Sequence, residues 1–342
     1  MSENLAVIIL AAGKGTRMKS GLVKVLHPLM GQPMLSHVIN SARYLQPDFL
    51  AVVIGHQGEK VQRAITADGI SWVRQEEQLG TGHAVFCARE VLADFKGTIL
   101  ILSGDVPLLS PQTMMDFLAA HQRGAAALSV LTVDLSVPGG YGRVIRDSAG
   151  FLERIVEARD AGAEELAVTE INAGIYAVSA APLFEALGRL KPDNDQHEYY
   201  LTDVAADFRY QGLPVAAILC PDPQEVMGVN DRTDLAQAMS VLKWRTNVAW
   251  MLAGTTMMDP DSAYIETTVK LGRDVTLWPN TYLLGRTAVG EAVEIEPDCQ
   301  IVDSNIGPGA IIRKGSIIEG IDIEPGAEIG PLAVMRRSNQ GE

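Results

Sequence analysis

The chain has 342 residues, 47% of them hydrophobic and 20% charged, which exceeds the usual single-core size and predicts two domains of unequal size with ample apolar matter. Its formal charge of −14 excludes a broad nucleic-acid or anionic-membrane surface, which needs clustered Lys and Arg, and leaves small phosphorylated ligands open. Three widely spaced cysteines, Cys87, Cys220 and Cys299, fit neither a zinc nor a disulfide framework; with no basic leader and no apolar run of about 18 residues, reduced thiols and a cytoplasmic location are expected.

From residue 5 to about 220, apolar runs of strand length alternate with amphipathic stretches, the pattern of βαβ units on a mainly parallel sheet. The clearest strands run from Leu5 to Leu10, Leu50 to Ile54, Thr98 to Leu102, Ala127 to Val133 and Ile171 to Val178, each closed by Gly, Asp or Pro. Pro33 is placed as the first residue of a helix whose face carries Met34, Leu35, Val38, Ile39 and Ala42, and another helix is predicted to start near Thr81. Between Arg232 and Leu252, the spacing of Leu235, Met239, Leu242, Val248 and Leu252 predicts a long helix leaving the first domain. The expected division is a nucleotide-binding domain over residues 1–230, a linker helix over 231–253 and a repeat domain over 254–342.

In that last part the period becomes six. Ile265, Leu271, Leu277, Leu283, Val289, Ile295 and Ile301 stand six residues apart; a four-residue phase shift is then expected to lead to Ile311, Ile317, Ile323 and Ile329. Four places after the aliphatics come small or β-branched residues: Val269, Val275, Thr281, Thr287, Val293, Cys299, Gly315 and Ala327. Neither the helical nor the strand period gives this pattern, whereas hexapeptide repeats turning three times per coil do, predicting a short left-handed parallel β-helix of roughly four coils. A solenoid this short does not seal its own faces, so self-association through it is expected.

The first strand runs into Leu10-Ala11-Ala12-Gly13-Lys14-Gly15-Thr16-Arg17-Met18, where an α/β sheet would place a phosphate-binding loop. Met18 breaks the dinucleotide fingerprint and no P-loop Gly-Lys-Ser/Thr follows, which argues against a dehydrogenase or a Walker ATPase. Taken alone, a Gly-x-Gly turn serves equally well as a tight structural turn. The surrounding charge shifts that balance. Residues 5–47 contain no Asp or Glu, where the chain average of 42 in 342 predicts about five, yet hold Lys14, Arg17, Lys19, Lys24 and Arg43. Such a loop suits a polyphosphate, with Arg17 and Lys24 stabilising charge that develops during transfer; a solvated basic face is the alternative.

Asp105, in Ser103-Gly104-Asp105-Val106-Pro107, places a carboxylate just beyond a buried strand, where it either anchors Mg2+, which needs only one or two protein oxygens, or caps the turn before Pro107. Further polar candidates recur in loops: Gln75, Gly80 and Thr81, the segment Gly140 to Arg143, Glu157, Asn172 and Asn230. Singly each also fits a turn or cap; together they match the neutral donors, acceptors and carboxylate that a sugar and a base require. His56, His83 and His197 show no metal spacing, and no nucleophile with its base is apparent.

The strings LAAGKGTRM, KVLH, EEQLGTGHA, GDVPL, GYGR, EYYLTD and GVN, followed by the hexapeptide tail, resemble in order and spacing the bacterial bifunctional N-acetylglucosamine-1-phosphate uridyltransferase family. The resemblance implies a Rossmann-like nucleotidyltransferase domain that couples UTP to N-acetylglucosamine 1-phosphate, forming UDP-N-acetylglucosamine and pyrophosphate in a Mg2+-dependent, in-line attack without a covalent intermediate. It implies that Leu10, Ala11, Ala12 and Gly13 hold the nucleotide with Lys14 beside the phosphates, that Arg17 and Lys24 stabilise the transferring phosphate, and that Gln75, Gly80 and Thr81 read uracil. Asp105 and Asn230 would bind Mg2+, while Ser103, Gly104, Gly142, Glu157, Asn172 and Asn230 would line the ribose and amino-sugar site. The family is trimeric through its β-helix, so a homotrimer is implied.

Two positions depart from the family pattern: Val23 stands for a proline before Lys24, and Ala173 for a threonine after Asn172. Family members also carry a longer β-helix that houses an acetyltransferase site, whereas the sequence ends at Glu342, so that second activity is expected to be absent. The rival readings are a related enzyme using glucose 1-phosphate or another base, and a non-catalytic regulatory subunit, which should have lost Arg17, Lys24 or Asp105.

Overall fold

The structure, a computed structural model, describes residues 4–337. The expected β-helix end at residue 342 lies outside them. Two compact units result: residues up to His27 together with Pro33–Leu235, and Pro28–Gln32 together with residues from Ala236 onward.

The first unit is a three-layer α/β sandwich. Its sheet has seven strands in the order Val215–Leu219, Leu128–Asp134, Glu170–Ser179, Thr98–Ser103, Leu5–Ala11, Phe49–Ile54 and Ser71–Arg74, with the ribbon Arg143–Arg146 and Leu152–Val156 branching from Glu170–Ser179. Leu5–Ala11 lies parallel to both neighbours, pairing Ile8 with Ala51 on one side and with Ile101 on the other. Glu170–Ser179 alone among the seven runs against its neighbours. Because both faces of a parallel sheet are covered, these strands are apolar throughout. Alternate residues separate cleanly: Ala6, Ile8, Ile99 and Ile101 belong to one core, Val7, Ile9, Leu100 and Leu102 to the other.

The expected strands shift by one residue at their ends, and one helix starts later than expected. The strand expected from Ala127 to Val133 spans Leu128–Asp134. Pro33 is the N-cap of the helix Met34–Tyr44, with an extended ψ of 140°, rather than its first residue. The helix at Thr81 begins as expected, as Thr81–Cys87, and the long helix covers Arg232–Leu252.

The second unit contains a left-handed β-helix of three parallel sheets with five, five and four short strands. Its interior is a ladder of aliphatics: Leu277, Ile295, Ile312 and Ile329 stack on one wall, Ile265, Leu283, Ile301 and Ile318 on the second, Leu271, Val289, Ile306 and Ile323 on the third. The repeat phase is corrected beyond Ile301. Ile306, Ile312 and Ile318 occupy the interior, not Ile311 and Ile317, which are only half-buried. One coil spans 18 residues between Leu283 and Ile301 but 17 between Ile301 and Ile318. The shorter corner at Asp303 turns with a left-handed φ of 46°, and it removes one residue where Gly285 and Arg286 make the corresponding corner of the preceding coil. The small position moves accordingly to Ser304, Ala310 and Ser316 in place of Gly315.

Candidate functional site

The carboxyl ends of Leu5–Ala11 and Thr98–Ser103 open into the same crevice, the position where open α/β sheets bind ligands. The Gly104 amide donates to the Leu10 carbonyl at 2.9 Å, and the Val106 amide to the Ser103 carbonyl at 3.1 Å, so the chain turns sharply and presents Asp105. Its main-chain carbonyl accepts from the Val229 amide at 2.8 Å, drawing the segment before the long helix alongside. There Asp231 caps the helix, its Oδ1 accepting the Thr233 and Asp234 amides, while Asp234 reaches back to accept the amides of Asn230 and Asp231 and so fixes Asn230.

Four charged or polar groups then meet. Lys24 Nζ donates to Asp105 Oδ2 at 2.5 Å and to Asn230 Oδ1 at 3.1 Å, and Arg17 Nη2 donates to the same Asn230 Oδ1 at 2.9 Å. The Lys24 and Asp105 side chains are 13% and 25% exposed, so this pair is accessible yet partly desolvated. Gly15 makes the Lys24 position possible. Its φ of 61° is left-handed, and a Cβ there would lie 2.5 Å from Lys24 Cβ. Arg232 completes the strap, reaching the Met18 carbonyl at 3.4 Å and His27 Nδ1 at 3.3 Å; burial, and then the Arg232 charge, push the His27 imidazole down.

A cavity of about 440 Å3 lies on one side of this cluster, lined by Leu10, Ala11, Ala12, Gly13, Lys14 and Arg17 from the first loop and by Gly80 and Thr81 opposite. A second of about 210 Å3 lies on the other side, with Gly142, Glu157 and Asn172 in its wall. Leu10, Thr81, Ser103, Asp105 and Asn230 line both, so Asp105 stands at the partition.

The second cavity is shaped by a break in the sheet. Between Asn172 and Tyr176 the pairing of Glu170–Ser179 with its neighbour slips, and this bulge turns Asn172, Ala173 and Gly174 toward the cavity. Asn172 Nδ2 donates to the Tyr176 hydroxyl at 2.7 Å, and its Oδ1 accepts from the Gly174 amide at 2.9 Å, which fixes the amide orientation. Thr202 Oγ1 donates to Glu157 Oε1 at 3.2 Å. Burial pushes the Glu157 carboxyl up against that hydrogen bond, and the acidic Asp203, Asp160 and Glu198 add to the rise.

Two expected residues stand elsewhere. Gln75 is 3% exposed and lines neither cavity; its Nε2 donates to the Gly80 carbonyl and contacts His83 Nδ1, each at 3.1 Å. Gly104 is buried in the turn rather than lining a cavity. Sequence reasoning missed Gln78 and Glu198 in the first cavity and Tyr176, Thr202 and Gly228 in the second. Gln78, Glu198, Thr202 and Gly228 sat inside strings already singled out, whereas Tyr176 read as one more apolar strand residue.

Residues 7–201 match the family described as MobA-like NTP transferase domain. The bifunctional protein GlmU of Geotalea uraniireducens is 48% identical over 337 residues, covering 98% of this chain and 73% of that protein. That of Enterococcus faecalis is 42% identical over 334 residues, covering 98% and 72%. Among solved structures, a UDP-glucose pyrophosphorylase complexed with UDP-glucose superposes with a TM-score of 0.58 at 16% identity, over 71% of this chain and 99% of that one, a likeness of fold.

Proposed function

The chain belongs to the family of the bifunctional protein GlmU, with a MobA-like NTP transferase domain, and from that premise we propose that it transfers uridylyl from UTP to N-acetylglucosamine 1-phosphate. A phosphate oxygen of the sugar phosphate attacks the α-phosphorus, the bond to the bridging oxygen breaks, and pyrophosphate leaves with that electron pair. No protein nucleophile takes part. The observation that carries this reading is the meeting of Arg17, Lys24, Asp105 and Asn230 at a partition between two cavities, one suited to a nucleotide and the smaller to a sugar.

The protein contributes positioning and fixed charge. An added Cβ at Gly13 would meet nothing within 4 Å, so the loop face is open to phosphate oxygens, with Lys14 beside it. Lys24 and Arg17 move from the Asn230 carbonyl and the Asp105 carboxylate to phosphate oxygens, following the charge as it shifts to the leaving group. Glu157 and Asn172 receive ring hydroxyls and the acetamido group in the smaller cavity, with Ser103 and Gly142 beside them.

The residues fit Mg2+. Asp105 and Asn230 already direct two hard oxygens at one cation, the Lys24 ammonium, and would hold the metal. Among the described residues no group of three His, Cys, Asp or Glu side chains converges, which agrees with an ion that keeps most of its other oxygens from water and substrate. When bound, it neutralises phosphate charge. Self-association as a trimer through the β-helix belongs to the same reading, and sedimentation at equilibrium tests it by mass. Among the described residues no helix is long and apolar enough to cross a membrane.

The reading is tested by pyrophosphate release in Mg2+ across UTP, CTP, dTTP and ATP, each paired with N-acetylglucosamine 1-phosphate and with glucose 1-phosphate. UTP with the acetylated sugar is expected to lead. Preference for glucose 1-phosphate would overturn the sugar assignment, and no turnover with any pair would overturn the enzyme.

A further inference from the structure

Very little backbone holds Arg17 and Lys24. Each sits in a single 3-10 turn, Thr16–Met18 and Lys24–Leu26, outside every sheet, and the connecting residues Lys19 to Leu22 are exposed. The first turn is closed by the Met18 amide donating to the Gly15 carbonyl at 3.1 Å, the second by the His27 amide donating to the Lys24 carbonyl at 3.2 Å. One turn of helix does not hold its shape unaided. Burial of Met18, Val25 and Leu26 anchors both turns, but burial has no direction. The bonds from Arg17 and Lys24 to Asn230 and Asp105 are directed, yet they are the ones given up when phosphate oxygens arrive.

One guanidinium supplies a directed tie that outlasts that exchange. Arg232 opens the helix Arg232–Leu252 two residues after Asn230; its Nε donates to the Met18 carbonyl at 3.4 Å and its Nη1 faces His27 Nδ1 at 3.3 Å. Met18 ends the turn of Arg17 and His27 closes the turn of Lys24, so a single planar fork grips both. A guanidinium only donates, which makes His27 Nδ1 the acceptor and leaves the proton of the neutral ring on Nε2. The His27 side chain suits that role: the residue is 2% exposed, and burial and then the Arg232 charge push the ring toward its neutral form against the pull of the Leu22 carbonyl. Arg232 lines neither cavity, and among the described residues no carboxylate pairs with it. Its fork is committed to the two turns.

We propose that Arg232 is a positioning residue for the transfer: through Met18 and His27 it keeps Arg17 and Lys24 aimed at the reacting phosphate after both have left Asn230 and Asp105. This rests on the uridylyl-transfer reading. Arg232 touches no substrate, so the affinities set by the cavity walls depend little on it. The charge that develops during transfer is met by Arg17 and Lys24, and that part of the rate depends on where Arg232 holds them.

The test measures kcat and both KM values for pyrophosphate release from UTP and N-acetylglucosamine 1-phosphate in Mg2+, with melting temperatures, for Arg232→Ala, His27→Leu and the double variant. Arg232→Ala is expected to lower kcat by about 10^2, the scale of a reacting group displaced by about 1 Å, with both KM values within about threefold of native. His27→Leu cuts one arm of the fork and should lower kcat about tenfold, while the double variant is no worse than Arg232→Ala because the two losses share one tie. A folded Arg232→Ala protein with kcat within about threefold of native overturns the proposal, as does a double variant whose losses multiply to about 10^3. A merely structural role would lower melting and the active fraction while kcat per active site stays native, which also overturns it. If Arg232→Ala does not fold, Arg232→Lys decides: it keeps the charge but reaches only one turn, so a kcat about tenfold down at native KM is expected, and a kcat within about twofold overturns the proposal. Failure of the uridylyl reading shows separately, as native protein that releases no pyrophosphate from this pair.

Discussion

The β-helix and the α/β crevice use the same kinds of residue under opposite rules. In the β-helix each side chain's fate follows from its place within 17 or 18 residues, because the strand one coil away repeats the same environment. In the crevice, Arg17 and Lys24 meet an asparagine 213 and 206 positions away. Stability in one region is thus local and repetitive. Chemistry in the other is long-range and assembled once. A change of one residue in register should wreck the first and barely touch the second, whereas removing a single charge should do the reverse.

The largest contrast is expected at the corrected register. Ile312→Asp buries a charge in the dry β-helix interior and should destabilise by more than about 4 kcal/mol, while Ile311→Asp, one position away on the half-buried outer side, should cost less than about 1 kcal/mol. Thermal denaturation separates them, and equal effects would return the phase to Ile311. Next in size, Gly15→Ala meets both a left-handed φ and the Lys24 side chain. A loss of about 1 to 2 kcal/mol in stability is expected, with a fall in turnover of at least about tenfold as Lys24 is displaced. A variant that kept full activity would show that the Lys24 position is not critical.

The smallest effect concerns acid groups beside the sugar cavity. Burial, with Asp160 adding, pushes the Asp203 carboxyl up to about 6 from 3.8. A raised acid binds its proton more tightly in the folded state, so it favours folding below about pH 4 and loses that contribution as pH rises to about 6. Asp203→Asn should therefore melt alongside the native protein at pH 4 and be more stable at pH 7.5 by about 1 to 2 kcal/mol, after discounting for solvent contact. A gap that is the same at both pH values would rule out this origin.

What the sequence revealed follows the same division. Six-residue spacing exposed the β-helix at once, but beyond Ile301 it offered two phases, since Ile311-Ile312 and Ile317-Ile318 present an isoleucine in either. Only the tight corner at Asp303 chooses between them, and a backbone turn of that kind leaves no periodic trace. In the crevice, Arg17, Lys24 and Asp105 were legible because they follow buried strands and stand in an acid-free stretch. Gln75 and Gln78 were not distinguishable: both are amides in the loop after a strand, and tertiary packing buries one and turns the other to the cavity. Tyr176 was hidden by its apolar strand, where a bulge that the sequence does not signal brings its surroundings into the sugar cavity.

The most direct test of the account is the turnover number for pyrophosphate release by Lys24→Ala, measured beside its melting temperature. Removing one preorganised charge from the transferring phosphate should lower kcat by about 10^2 to 10^3, with melting within a few degrees of the native protein. A kcat within about threefold of native, at unchanged melting, would contradict the claim that the cluster of Arg17, Lys24, Asp105 and Asn230 is where uridylyl transfer occurs.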